Sequence, residues 1–335
     1  MLTAGYDVGG AHLKVALVDG RRVVDVWQVA CPLWEGTDRL DEALAAASVL
    51  TSKAGHHAVT MTAELTEIFQ SRRAGVEALV THLNARLSGH VSFYCGLKGL
   101  ADAKEAVANP DLVGSANFLA TAQSIARLAP GALLIDMGST TTDVIVCDRP
   151  QGMTDAERLQ TGELVYTGLT RTPVPSVATS APLAGQWQTL ARDAFATMAD
   201  VRRVLGDLLD DVDDHVPADG RGKSLEESLA RLARGFGRDP ELRHLAMWRA
   251  SAAYIREQQL RSIHDGALLV LSRPGVEVTS VVTAGIGESD AAEIAQRLSR
   301  PAITFGELIG AEPSCRTWAT RCAPAVAVAL LGSKL

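Results

Sequence analysis

Two short segments rich in Gly, Ser and Thr constrain the fold of this chain more than any other feature. The first is residues 7–14 (DVGGAHLK) and the second is residues 136–143 (DMGSTTTD). Each follows a short apolar run and precedes another, at 15–18 and 144–147. An apolar strand, a tight polar turn and a returning strand predict a β-hairpin whose tip exposes backbone N–H groups. Such N–H groups form a concave surface that binds anions.

The two hairpin tips supply a predicted site for a diphosphate or a triphosphate. Asp7 and Asp136, each at the end of a strand, are predicted to hold a divalent cation such as Mg²⁺, directly or through water. Lys14 lies across the first hairpin and would point its ammonium group at an anion held by the turn. The predicted phosphate-binding residues are Gly9, Gly10, Gly138, Ser139, Thr140, Thr141 and Thr142. The simpler alternative for each segment is a polar hairpin turn without a ligand.

A third glycine turn follows a β-branched run near the C-terminus. Gly285 and Gly287 come after residues 278–283 (VTSVVT), at a predicted junction between a strand and a helix. Glycines in this position allow a flat or charged ligand to approach the backbone closely. We therefore add them to the predicted phosphate-binding set, although a single GxG here commonly serves the packing of a helix on a strand.

The charge and composition of the chain argue against several partner classes. Lys and Arg total 32 against 39 Asp and Glu, which gives a formal net charge of −7. This balance, without a basic block, argues against nucleic acid or an anionic membrane surface as the partner. The sequence shows neither a membrane-spanning apolar stretch nor a signal-peptide pattern at its N-terminus. Its five cysteines include no CxxC pair, so we expect reduced thiols in a cytoplasmic protein.

Strands alternate with helices along the chain, which predicts an α/β fold with mixed sheets covered by helices. We predict two lobes, at 1–130 and 131–335, each beginning with one of the phosphate-type hairpins. A mostly helical insertion is expected in the second lobe at about 187–265. Residues 163–168 are predicted to form a strand. The C-terminal helix, at about 324–331, is a candidate to pack back on the first lobe.

The order of the three turns resembles that of the actin, sugar-kinase and heat-shock-chaperone ATPase superfamily. This resemblance implies two RNase H-like (actin-like ATPase) lobes, with the first two turns as phosphate loops. Residues 61–65 (MTAEL), 94–96 (YCG) and 166–172 (YTGLTRT) are similar to the hydantoinase/oxoprolinase branch. Within that branch, residues 195–201 (FATMADV) and 218–223 (ADGRGK) resemble a family of the tetrahydromethanopterin-linked one-carbon pathway of methylotrophs and methanogens.

Members of that family in methanogens act in methylofuran synthesis. They join an aminomethyl-furanmethyl diphosphate to the phenol oxygen of a glutamyl-tyramine acceptor and release pyrophosphate. The resemblance implies that this chain is a furanylmethyl transferase that uses Mg²⁺. Its partners would be a small-molecule diphosphate and a phenolic acceptor, either a tyramine or a tyrosine derivative. The fold would then bind the diphosphate leaving group where most relatives bind ATP.

Several further residues are candidates for the transfer reaction. Removal of the phenol proton needs a base, and Glu64, Asp143 and Asp200 are candidates. The predicted catalytic set is Asp7, Lys14, Glu64, Asp136 and Asp143. The residues assigned to the substrate pocket are Tyr94, Asn117, Tyr166, Arg171 and Asp200. In that pocket the arginine suits a carboxylate on the acceptor, and the tyrosines suit stacking on the furan or phenol ring. Each also has an ordinary interpretation, as a solvated or helix-capping carboxylate, a surface arginine or a buried tyrosine.

Two other functions stay open on the sequence alone. The same loops hold ATP in most relatives, so an ATP-dependent kinase or an ATP-coupled amidase is the alternative enzyme. A nucleotide-gated regulatory or chaperone-like protein is the non-enzymatic alternative. A tight adenosine pocket around Gly285 and Glu288 would favour ATP, and a blocked one would favour the diphosphate. The eight histidines show no metal-ligand spacing, and the oligomeric state stays open, a homo-oligomer included.

Overall fold

The computed structural model describes residues 1–333, which form two mixed sheets and a separate two-stranded hairpin. The first sheet consists of β1 (Leu2–Val8), β2 (His12–Asp19), β3 (Arg22–Ala30), β4 (His56–Met61), β5 (His90–Tyr94) and β6 (Leu100–Ala101). Its strand order is β3-β2-β1-β4-β5-β6. Because β4 runs parallel to β1, both strands end at the same edge, beside the tip of the β1–β2 hairpin.

The second sheet repeats this arrangement. The remaining strands are β7 (Ala132–Met137), β8 (Thr142–Val146), β9 (Leu164–Val165), β10 (Ser180–Leu183), β11 (Gln186–Thr189), β12 (Ser280–Ala284) and β13 (Ala302–Thr304). The sheet order is β13-β12-β7-β8-β9, while β10 pairs only with β11 within residues 1–333. β7 and β8 form an antiparallel hairpin, and β12 runs parallel to β7. A hairpin flanked by a parallel strand thus occurs in both sheets, which confirms the predicted α/β fold class.

Helices cover both sheets and build the insertion. They are α1 (Asp38–Thr51), α2 (Arg72–Arg86), α3 (Ala103–Ala108), α4 (Pro110–Val113), α5 (Asn117–Leu128), α6 (Asp155–Thr161), α7 (Val174–Val177), α8 (Met198–Leu205), α9 (Leu225–Gly235), α10 (Leu245–Leu271), α11 (Glu288–Arg297), α12 (Phe305–Leu308), α13 (Pro313–Arg321) and α14 (Ala323–Gly332). α1 and α2 pack on one face of the first sheet, and α10 and α11 on one face of the second. α8 and α9 enclose a separate core around Trp248 of α10. None of the helices within residues 1–333 is both long enough and apolar enough to cross a membrane.

Two helices, α5 and α14, fill the space between the sheets. Their buried side chains form one cluster with residues of both sheets, including Ala58 of β4 and Leu134 of β7. α14 (APAVAVALLG) is apolar on all sides, as is typical of a helix that is buried all round. A Cβ atom on Gly5 of β1 would come within 2.7 Å of the Ala329 Cβ in α14, so this close packing requires glycine. α14 therefore lies directly on the first strand of the chain.

The sequence prediction differs from the structure in two segments. Residues 163–168 contain only the short strand β9, because the chain after Val165 turns into a loop that packs against the second hairpin. The predicted helical insertion begins instead with β11, which pairs with β10. The turn between these strands is made by Ala184 and Gly185, which both have positive φ, at 50° and 76°. Only the glycine of that pair gives a turn signal in the sequence.

Candidate active site

The first hairpin places a carboxylate and an ammonium group side by side at the edge of the first sheet. Asp7 and Lys14 are cross-strand neighbours on β1 and β2, and Lys14 Nζ lies 3.6 Å from Asp7 Oδ2. The turn closes through Gly9 N, which donates to His12 O at 2.9 Å. This pairing keeps the lysine charge next to the hairpin tip, where the sequence analysis places a bound anion.

The second hairpin has the same construction, with two carboxylates in place of a carboxylate and a lysine. Asp136 and Asp143 are cross-strand neighbours on β7 and β8. The turn closes through Gly138 N, which donates to Thr141 O at 2.9 Å. Ser139 and its threonine neighbour at the tip are partly exposed, so their polar groups are available to a ligand.

A loop at 167–172 supports the second tip. Leu169 N and Arg171 N donate to carbonyl oxygens of the tip, both at 2.9 Å. A Cβ atom on Gly168 would collide with the backbone of Thr140. Because glycine lets the two backbones approach this closely, the loop fixes the position of the tip.

Both tips line a single crevice of about 380 Å³ between the two sheets. The predicted site residues that line it are Asp7, Gly9, Gly10, Lys14, Asn117, Asp136, Gly138, Ser139, Thr140, Thr141, Asp143, Tyr166 and Arg171. Thr62, which follows β4, and Pro324, at the start of α14, complete parts of the wall. The two hairpins therefore face the same space, which is the arrangement that a clamped diphosphate requires.

The carboxylates of the crevice share one lysine. Asp7 is 3% exposed, and burial raises its pKa although Lys14 acts in the opposite direction. Burial, followed by the negative charge of Asp143, raises the pKa of Asp136 to about 7. Burial by itself lowers the pKa of Lys14, but Asp7, Cys322 and Asp136 outweigh it, so the pKa of the lysine is raised. The ammonium group is therefore charged at neutral pH and available to an anion.

The oxygen atoms of these carboxylates fit a hard divalent cation. Asp7 Oδ1 is buried and has no hydrogen-bond partner among residues 1–333. A buried oxygen without a partner is costly unless a donor or a cation satisfies it. Mg²⁺ prefers carboxylate oxygens and keeps several waters, and Asp7 and Asp136 offer one carboxylate from each hairpin. The residues present therefore fit the ion that the sequence analysis predicts.

A guanidinium group that the sequence analysis missed holds Asp143. Arg158 of α6 pairs with Asp143 and, at 2.8 Å, with Asp155, and all three residues line the crevice. The guanidinium carbon lies 3.9 Å from the centre of the Phe118 ring. Burial raises the pKa of Asp143 despite the opposing effect of Arg158. The crevice thus contains a second fixed positive charge besides that of Lys14.

Two carboxylates predicted to act on the substrate lie outside the crevice. Glu64 is 1% exposed; it accepts a hydrogen bond from Ser115 Oγ at 2.8 Å and pairs with Arg72 at 3.3 Å. Asp200 is buried near the start of α8 and pairs with Arg231 at 2.8 Å. Neither side chain lines the crevice, although Ser115, the partner of Glu64, does.

Four other predicted site residues also lie outside the crevice. Thr142 faces away from it because side chains alternate along β8, and its hydroxyl donates to a carbonyl of the supporting loop at 2.7 Å. Tyr94 is fully buried in the core between the sheets. Gly285 and Gly287 pack against Met137 at the end of β7, where an added Cβ atom would collide with it. Gly285 also lies close to Asp136 Oδ1, but neither glycine lines the crevice.

A second pocket of about 200 Å³ adjoins the crevice and shares Arg171 with it. Its lining also includes Phe195, Thr197, Asp200, Arg203, His215 and Pro217. Most of these residues come from segments 195–201 and 213–218, which belong to the helical insertion. Arg171 lies 5.7 Å from the centre of the Trp34 ring and forms no ion pair with a carboxylate of residues 1–333. It is therefore a positive charge free to bind a ligand at the junction of the two cavities.

Residues 56–305, which are most of the chain, match the hydantoinase/oxoprolinase family. The chain belongs to this family. The match confirms the branch indicated by the motifs at 61–65, 94–96 and 166–172. All three motifs lie near the crevice or in the core between the sheets, so they belong to the part of the fold that builds the site.

Two relatives of this hydantoinase/oxoprolinase family member share the name (4-{4-[2-(gamma-L-glutamylamino)ethyl]phenoxymethyl}furan-2-yl)methanamine synthase. The relative from Methanocaldococcus jannaschii is 29% identical over 246 residues, which are 72% of this chain and 73% of the relative. The relative from Methanococcus vannielii is 34% identical over 110 residues, which are 30% of this chain and 47% of the relative. A solved ROK family glucokinase from Streptomyces griseus covers 99% of both chains at 15% identity, with a TM-score of 0.47.

Several crevice residues are not among the site residues predicted from the sequence, although some of them lie inside the motifs at 7–14 and 61–65. They are Ala11, His12, Trp34, Thr62, Leu65, Thr66, Glu67, Ser115, Asp155, Arg158, Leu164 and Pro324. His12 could have been found from its place beside the first hairpin tip. Arg158 and Pro324 come from α6 and α14, and only the packing of these helices brings them to the crevice.

Proposed function

We propose that this chain is an enzyme that forms a phenoxymethyl-furan ether in the synthesis of a methylofuran-type cofactor. It transfers the furanylmethyl group of an aminomethyl-furanmethyl diphosphate to the phenol oxygen of a glutamyl-tyramine or tyrosine-type acceptor and releases diphosphate. The main observation in support is that two phosphate-type hairpin tips, with buried carboxylates and a lysine, face one crevice. The two synthase relatives add support, because the compound in their name contains a phenoxymethyl-furan ether.

Departure of the diphosphate is the step that the crevice residues suit best. The bond from the furanylmethyl carbon to the diphosphate oxygen breaks, and both electrons stay on that oxygen. Lys14 and the backbone N–H groups of Gly10 and Ser139 stabilise the negative charge that grows on the leaving group. Mg²⁺, held by Asp7 and Asp136, would neutralise further charge on the diphosphate when bound.

The phenol oxygen forms the new bond to the furanylmethyl carbon and loses its proton. Among the carboxylates predicted as the base, only Asp143 lines the crevice, so we assign proton removal to Asp143. Arg171, which has no carboxylate partner among residues 1–333, suits a carboxylate on the acceptor. Tyr166 is 68% exposed and also lines the crevice, where its ring can stack on the furan or the phenol.

The third glycine turn supplies no part of the crevice wall. Gly285 and Gly287 pack against Met137 on the side where a Cβ atom would lie, and Gly285 also packs there against Asp136 Oδ1. Neither glycine lines the crevice. The choice of a diphosphate-releasing transferase over an ATP-dependent kinase or amidase is therefore supported by the two synthase relatives.

Calorimetric titration distinguishes these ligands. The purified protein is titrated with pyrophosphate, ADP and ATP, each with and without Mg²⁺. We expect Mg²⁺-dependent binding of pyrophosphate and no additional affinity from the adenosine of the nucleotides. Tight binding of ATP without affinity for pyrophosphate would contradict the proposal. Incubation with the furanylmethyl diphosphate and the phenolic acceptor, followed by mass spectrometry of the ether, tests the reaction itself.

Arg171→Lys should weaken binding of the acceptor more than binding of the diphosphate. Lysine keeps the positive charge but loses the two-pronged geometry that matches a carboxylate. We expect the KM for the acceptor to rise by roughly tenfold, as for the loss of a charge-assisted hydrogen bond, with the KM for the diphosphate substrate nearly unchanged. Arg192→Lys, at an exposed arginine of the second lobe, is the matched control. Equal changes in both KM values in steady-state assays would argue against an acceptor contact.

Binding of Mg²⁺ should depend on pH because of Asp136. Burial and the neighbouring Asp143 raise its pKa to about 7, so the side chain is mostly protonated below pH 7 and is then a poor metal ligand. We expect full affinity for Mg²⁺ above about pH 8 and a loss of up to about tenfold for each unit below about pH 7. Without metal, the free energy of unfolding should fall as the pH rises from about 4 to about 7. In this range the unfolded chain has already released the proton that Asp136 retains in the folded state.

Calorimetric titration of Mg²⁺ at several pH values checks this expectation. Asp136→Asn removes the titrating group and should flatten the pH dependence. An equally steep dependence in the wild type and the variant would show that another group controls binding.

A further inference from the structure

Two histidines and an aspartate join the first hairpin to the helical insertion. His12 begins β2, whereas Asp214 and His215 lie in the loop between α8 and α9. One ligand atom of each residue lies within 4.8 Å of the ligand atoms of the other two. His12 Nε2 is 2.6 Å from Asp214 Oδ1, and His215 Nε2 is 3.8 Å from the same oxygen. The fold thus brings three metal-type donors together from segments that are far apart in the sequence.

A hydrogen bond between His12 and Asp214 accounts for only part of this cluster. His215 Nε2 is buried and has no hydrogen-bond partner among residues 1–333. A buried polar atom without a partner is costly and needs an explanation. This unpartnered nitrogen is therefore a donor that a bound ion would satisfy.

The surroundings of the cluster leave Asp214 available as a ligand. The rings of His12 and His215 meet edge-on, with their centres 4.7 Å apart. The neighbouring Asp213 is already paired with Arg203. Asp214, by contrast, has no Lys or Arg partner within residues 1–333 and contacts the two histidines, and its side chain is 45% exposed. An ion can therefore reach this carboxylate from solvent.

We propose that His12, Asp214 and His215 bind a divalent transition-metal ion of the zinc type. Two imidazole nitrogens and one carboxylate oxygen suit zinc, whereas Mg²⁺ prefers ligands that are all oxygen. The site therefore differs in chemistry from the carboxylates of Asp7 and Asp136. Three protein ligands leave one position of a tetrahedral ion for water or another oxygen ligand.

An ion at this site connects the walls of the two cavities. His12 lines the crevice, and His215 lines the adjoining pocket. Because its ligands come from the first hairpin and the insertion, the metal fixes the loop at 206–224 against the hairpin. Binding to the folded state alone also stabilises that state. The proposed metal site does not depend on which reaction the crevice supports.

Zinc binding by the full chain tests the site. The protein is stripped with a chelator and titrated with Zn²⁺ by calorimetry in the presence of excess Mg²⁺. We expect one equivalent of Zn²⁺ per chain and a rise in the midpoint of thermal unfolding. His215→Ala and Asp214→Asn should each weaken Zn²⁺ binding by at least about tenfold and remove most of that rise.

Two control variants make the result specific. His244→Ala removes an exposed histidine of the same insertion, with a side chain that is 52% exposed, and should bind Zn²⁺ like the wild type. Asp136→Asn should also keep the full affinity for Zn²⁺. The inference is overturned if the wild type binds no Zn²⁺, if His215→Ala binds it as tightly, or if only Asp136→Asn loses it. Circular dichroism confirms folding, and Asp214→Asn carries the test if His215→Ala is unfolded.

Discussion

Asp136→Asn is expected to abolish turnover and Mg²⁺-dependent binding of pyrophosphate while the protein stays folded. The substitution keeps the shape of the side chain but removes one of the two carboxylates assigned to the metal. Without it, the charge on the departing diphosphate loses a main source of stabilisation. We expect kcat to fall by at least roughly 10²-fold, as for the loss of a group that stabilises charge in a transition state. Mass spectrometry of the ether product measures the rate, and calorimetry measures the affinity.

The matched control for this variant is Asp148→Asn. Asp148 is an exposed carboxylate directly beyond the other end of β8, so its loss should leave the rate unchanged. Asp7→Asn is expected to resemble Asp136→Asn, since each hairpin supplies one carboxylate. A wild-type rate in either crevice variant, with an unchanged circular dichroism spectrum, would contradict the assigned metal role.

Lys14→Met is expected to cause the second largest effect, a loss of affinity for pyrophosphate. Lys14 is the cation that both Asp7 and Asp136 keep protonated in the crevice, and Met retains much of its length and its apolar stem. Removing a charge-assisted contact of this kind costs about 1.5–3 kcal/mol, which corresponds to a loss of affinity for pyrophosphate of roughly 10- to 150-fold. Titration of Mg²⁺ and pyrophosphate by calorimetry gives the affinity directly.

Two further variants show whether the loss of pyrophosphate affinity comes from the charge of Lys14. Lys53→Met changes an exposed lysine in the turn after α1 and should leave affinity unchanged. Lys14→Arg keeps the charge and should recover part of the affinity. If Lys14→Met binds pyrophosphate as tightly as the wild type, the lysine does not contact the anion.

The hairpins could be predicted from the sequence because their signals are local. Apolar runs on both sides of a Gly-containing turn define two strands and a tip without any information on the rest of the fold. The shared crevice follows from the likeness of the two segments, in which Gly9 and Gly138 hold equivalent positions and close their turns in the same way. The family motifs were equally readable, because they are continuous stretches of sequence.

Other site residues could not be placed from the sequence, because tertiary packing decides which way their side chains point. Tyr94 ends a strand that is covered on both faces, so periodicity could not show that its ring enters the core between the sheets. Glu64 is a candidate base because it follows a strand, and only the fold shows that Arg72 and Ser115 from other elements contact it. Thr142 is different, since alternation along β8 places it opposite to Asp143 and this could have been inferred.

The position of α14 on the first strand determines the order in which this protein can assemble during translation. β1, β2 and β4 are made well before α14, the helix that covers one of their faces. Until residues 323–332 have left the ribosome, small apolar side chains such as Ala16, Val18 and Ala58 lack their cover. The nascent N-terminal half therefore exposes an apolar groove, and the sheet becomes fully packed only after synthesis has passed α14.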